Sequence, residues 1–71
     1  MTIEDLIRVI NDETGKEATA DSKLDSLIDD SLEFVSLIVR VSSEFRDIPD
    51  EVVARLNTVS DLYRAANGEL V

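Results

Sequence analysis

The chain has 71 residues, 7 basic and 16 acidic, with a net charge of −9, and it contains neither Cys nor His. That length allows one small domain. The missing residue types exclude disulfides, thiolate metal sites, thiol nucleophiles and imidazole acid–base chemistry, and the charge argues against nucleic acid, whose phosphates need Lys and Arg.

With 44% hydrophobic residues placed periodically, residues 1–71 are expected to fold as a single domain. The start, Met-Thr-Ile-Glu-Asp, has no basic stretch leading into an apolar run, and no apolar run approaches membrane-spanning length. The expectation is a soluble, cytoplasmic, acidic monomer without membrane insertion, and the lack of Cys fits a reducing compartment.

The first helix is predicted from Ile3 to Glu13. Thr2 is a good N-cap and Asp5 stands three residues later, as in a capping box. Ile3, Leu6, Ile7 and Ile10 form one apolar stripe at helical spacing, and Gly15 supplies a left-handed stop. Residues 16–29 lose the period. They read as a long loop pinned by Leu24, Leu27 and Ile28, and a loop of that length in a small domain is often functional.

The second helix is predicted to follow Asp30 and reach about Arg46, with Asp30 as N-cap and Glu33 as the matching third helical residue. Phe34, Leu37, Ile38, Val41 and Phe45 make one stripe, and Leu32, Val35 and Val39 make a second beside it. A helix with so wide an apolar arc is either central in its bundle or carries a docking surface. Pro49 opens a short helical segment through about Leu56. The last helix is predicted over 59–66, capped by Thr58 with Asp61 as its third residue, stopped by Asn67-Gly68, and facing Val59, Leu62, Tyr63 and Ala66 inward. No stretch alternates like a strand. The fold class is all-α, a bundle of three main helices plus one short helix.

Asp-Ser-Leu occurs twice, at residues 25–27 and 30–32. Ser31 stands just after a cap at a predicted helix start, where free N–H groups and the helix dipole favour an attached anion. Ser26 lies in the loop without such a helix behind it. From Asp30 to Gly68 the sequence "DDSLEFVSLIVRVSSEFRDIPDEVVARLNTVSDLYRAANG" resembles the acyl carrier proteins, and the first helix resembles them loosely. The spacing from Ser31 to Phe45, to Ile48-Pro49-Asp50-Glu51, to Thr58-Val59 and to Asn67-Gly68 follows that family with about one residue missing near Asp47. Counting from Ser26 instead places Arg40 where the family has a buried Phe.

The resemblance implies an acyl-carrier-protein-like bundle with no catalysis of its own. A phosphopantetheinyl transferase would attach 4′-phosphopantetheine, taken from coenzyme A, to Ser31 beside the motif aspartate Asp30. The thiol of that arm would carry acyl groups as thioesters, so the chain needs no Cys. Acyl-loading ligase or synthase enzymes are the further partners implied. Phe34, Leu37, Ile38, Val41, Leu56, Leu62 and Tyr63 are the expected lining of an acyl pocket; the same residues also read as plain core.

The sequence departs from the family in two places. Ser36, Ser42 and Ser43 stand where the family commonly has Glu, and Arg40 adds a positive charge, so 31–46 is electrically balanced while the rest is acidic. Leu32, Val35 and Val39, edged by Ser36, Ser42 and Ser43, are therefore the expected docking surface, more apolar and less charge-steered than usual. Acids at Asp25, Asp29, Asp47, Asp50 and Glu51 would guide partners from the rims. Asp29 also lies where the family often has a small residue before the aspartate. These features suggest a specialised fatty acid, polyketide or lipid pathway, and a single domain without flanking linkers suggests a free-standing carrier. An aminoacyl or peptidyl carrier and an unmodified acidic interaction module remain the alternatives. Asp21, Asp25, Asp29 and Asp30 lack the order of a calcium loop, and no metal site is expected.

Overall fold

The apolar positions at helical spacing do find one core. In the computed structural model, which describes residues 2–69, Leu6, Val9 and Ile10 of α1 (Ile3–Thr14) pack with Leu37 and Val41 of α3 (Ser31–Glu44) and with Val59, Leu62, Ala65 and Ala66 of α5 (Val59–Ala66). Both ends of the expected 1–71 domain lie outside the described residues. Two single-turn helices, α2 (Leu24–Leu27) and α4 (Asp50–Val53), complete an all-α bundle without strands among the described residues. No polar or charged residue is buried among them, so the core owes its stability to apolar burial and packing.

The caps act where the sequence placed them. Thr2 and Thr58 each form a complete capping box, with Asp5 and Asp61 as the reciprocal partners. Each box satisfies two N–H groups that a bare helix end leaves open. Gly15 closes α1 at φ 70, a left-handed conformation that costs a side chain-bearing residue about 1–2 kcal/mol.

Three expectations are corrected. The 16–29 segment is not wholly loop, because Leu24–Leu27 forms the helical turn α2. Its two buried leucines sit at i and i+3 on one face, a pattern too short to register as a period. Among the described residues the helices are thus three main ones and two short ones. α3 ends at Glu44 rather than Arg46, because Phe45 leaves helical geometry at ψ −79 while packing against the core. The short segment expected from Pro49 through about Leu56 is helical only over the single turn α4, which ends at Val53, with Pro49 as its N-cap at an extended ψ of 147. That places the acids Asp50 and Glu51 in the first turn, the favourable end of the helix dipole.

The segment before α3 is stitched to the start of α5. Lys23 and Thr58 form an isolated antiparallel bridge. Leu24 N–H donates to Asn57 O at 2.8 Å, Val59 N–H to Ser22 O at 3.0 Å, and Ser60 N–H to Ala20 O at 3.0 Å. These bonds hold Leu24 and Leu27 in the core and so fix one wall of the site described next. α1, not α3, is the central helix, since it packs on both α3 and α5. α3 can therefore leave a second apolar stripe uncovered.

Candidate functional site

Asp30 adopts an extended backbone at φ −148, ψ 167, and its Oδ1 accepts the Glu33 N–H at 2.8 Å. That bond begins a helix of 14 residues at Ser31. Ser31 is thereby held as the first helical residue, exposed, within the turn whose N–H groups favour negative charge. The reciprocal half of a capping box is missing here: the Glu33 carboxylate has a buried Oε1 without a hydrogen-bond partner among the described residues.

The other Asp-Ser-Leu sits differently. Asp25 and Ser26 are inside the single turn α2, whose N-cap is Lys23 with no side-chain cap bond. Ser26 N–H is spent on Lys23 O at 3.0 Å. The same tripeptide is thus a capped helix start at one place and an interior turn at the other.

Ser31 borders a cleft of about 380 Å³. Leu24, Ile28, Phe34, Val53 and Leu56 give it apolar walls, and Asp25 and Asp30 are its carboxylates. A second, smaller groove of about 220 Å³ runs between α3 and α4, lined by Phe34, Val35, Ile38, Val39, Asp50 and Val53. Of the residues expected to line a pocket, Phe34 and Leu56 border the cleft and Ile38 borders the groove. Leu37, Val41 and Leu62 are at 0% exposure inside the closed core, and Tyr63 is half-buried against it. Leu24, Ile28, Val53 and Ala54 were not anticipated as lining. The signal for the first two was present, since both are apolar anchors four residues apart in the segment before α3.

The face of α3 turned away from α1 carries Leu32 at 80% exposure, Val35 at 55% and Val39 at 61%. Ser36 and Ser43 are exposed beside them and Ser42 is half-buried. Asp25, Asp29, Asp47, Asp50 and Glu51 are all exposed, and Asp29 is paired with Lys16 Nζ at 3.0 Å.

Arg40 supplies the positive charge that balances 31–46, and the structure shows where it goes. Its charge is not offered to the surface beside Val39. The guanidinium is turned to α1 and α3 carboxylates, donating to Asp12, to Glu44 at 2.9 Å and to Glu13 at 3.3 Å. Those bonds, led by the one to Asp12, raise its pKa further above the ordinary arginine value. The carboxyls held below their ordinary value lie at other helix starts: Asp5 by its bonds with Thr2, and Asp61 by Arg64 and then by the Thr58 and Asn57 N–H groups.

Comparison with protein-family models, with curated proteins and with solved structures gives no match. Among the described residues, no group of three or more His, Cys, Asp or Glu is placed to hold a metal ion, and no helix is long and apolar enough to cross a membrane.

Proposed function

We propose that this chain is an acyl carrier protein with the fold of that family, modified on Ser31 and working in the cytoplasm for a specialised lipid, fatty acid or polyketide pathway. The observation that carries the reading is the position of Ser31. It is exposed, first in a helix capped by Asp30, and at the mouth of an apolar cleft. The residues suit a 4′-phosphopantetheine group. The hydroxyl is accessible for esterification, the helix start favours the phosphate, and the cleft offers an apolar surface within reach.

When bound, that group supplies the thiol on which cargo is carried as a thioester. The chain's own residues hold the attachment point rigid, cap the helix beneath it and shelter an apolar tail. Leu32, Val35 and Val39 present a contact surface beside the attachment point to the transferase and to the enzymes that load and unload cargo. Tethering keeps cargo at high effective concentration for each partner. Apolar groups exposed to this degree fit transient contact with other proteins.

The test is incubation with coenzyme A and a broad-specificity phosphopantetheinyl transferase, followed by intact mass. A gain of one phosphopantetheine group is expected in the parent and in Ser26→Ala, and none in Ser31→Ala. Loss of the gain in Ser26→Ala alone would assign attachment to the other tripeptide. No gain in any sample would overturn the carrier reading.

A further inference from the structure

We infer that Arg40 is a built-in counter-ion: it gathers acids from α1 and α3, and so lets a chain of net charge −9 close the seam between these helices without cations from solution. The inference goes beyond the carrier reading and holds whether or not Ser31 is modified.

The seam brings like charges together. Asp12 and Glu13 are neighbours on α1, and Glu44 stands on α3. All three carboxylates accept from the one guanidinium: Nη1 serves Asp12 and Glu13, and Nε serves Glu44. Arginine suits this place because its donors are set in a rigid planar fork that reaches several carboxylates at once. The Arg40 side chain is 32% exposed and that of Glu13 is 26% exposed, so this pair is screened less than one on the open surface. The raised pKa of Arg40, due first to Asp12 and then to Glu44, agrees with that placement. Asp5, Arg8, Val9 and Phe45 border the same hollow of about 400 Å³ with Asp12, Arg40 and Glu44. Arg8, the other cation there, is 78% exposed and paired with Asp5 at 3.5 Å. Removing the Arg40 guanidinium therefore leaves three negative charges gathered where two helices meet. Self-repulsion of that kind opposes a compact state, and dissolved cations relieve it.

The experiment is thermal melting followed by circular dichroism at an ionic strength of about 10 mM, where the Debye length is ~30 Å. NaCl and, separately, MgCl2 are then added to the parent, Arg40→Gln and Arg40→Lys. Arg40→Gln is expected to melt roughly 4–8 °C below the parent at low salt. Either salt should close most of that gap. Arg40→Lys keeps the charge but not the fork, and its gap should be the smaller of the two. Asp12→Asn with Glu44→Gln, placed in the Arg40→Gln background, removes two of the gathered charges and should recover Tm at low salt without added cations. If Arg40→Gln is unfolded at low salt, the same titrations read the return of helical content. No gap at low salt, a gap unchanged by both salts, or no return of helix overturns the counter-ion role, as does a failure of the acid-neutralised variant to recover.

Discussion

Replacing Asp30 by Ala tests the helix start on which the site depends. The structure assigns this side chain one bond, from the Glu33 N–H at 2.8 Å, with no reciprocal bond to share the load. Loss of such a cap costs about 1 kcal/mol. In a domain of 60–100 residues that lowers Tm by roughly 4–8 °C. Asp25→Ala is the matched control, since Asp25 sits inside α2 and caps nothing. It should move Tm by less than about 0.5 kcal/mol's worth. Asp30→Asn separates capping from charge, because Asn caps about as well as Asp. It should keep Tm near the parent while leaving any need of the transferase for a carboxylate visible in the loading rate. Thermal melts followed by circular dichroism on the four proteins suffice. Equal losses in Asp30→Ala and Asp25→Ala would refute the distinction between the two Asp-Ser-Leu copies.

Three further outcomes are expected. The pKa of Asp61 in the folded chain lies below its ordinary 3.8, so its contribution is fully present above that value and is lost as pH falls through the lower, folded one. Asp61→Asn should therefore melt below the parent at neutral pH, with the gap closing in acid below about pH 4; a gap that persists unchanged there would contradict the charged contacts. Because Arg40 is engaged by Asp12, Glu13 and Glu44 and the exposed stripe of α3 is uncharged, the rate of loading should change by less than about threefold as added salt shortens the Debye length from ~10 Å to ~3 Å. Val39→Asp should slow it without lowering Tm appreciably, and a steep fall with salt in the parent would show that charge steers the encounter.

Much of this architecture is legible in the sequence because it is local. Thr2 with Asp5 and Thr58 with Asp61 are capping boxes within a few residues, and both form as read. The exposed stripe Leu32, Val35 and Val39 follows from counting around one helix. What escapes is tertiary. Nothing near Leu24 announces that its N–H will meet Asn57 O, so the turn α2 is hidden. The direction of Arg40 depends on Asp12 and Glu13, on a helix far earlier in the chain. Apolar type alone does not separate lining from core either: Leu37 and Phe34 look alike in the sequence, yet one is enclosed and the other borders a cleft.

The stitching of residues 20–24 to residues 57–60 has a consequence for how the chain comes into being. Ala20 O receives both the N–H and the hydroxyl of Ser60, a partner 40 positions later. During synthesis residues 20–24 emerge before residues 57–60 and have to wait for them. Until residues 57–60 leave the ribosome, Leu24 lacks the backbone bond to Asn57 O that holds the turn beside Ser31, and the hollow it borders has no fixed shape. Docking of residues 57–60 is thus what finishes a cleft whose Ser31 was made long before.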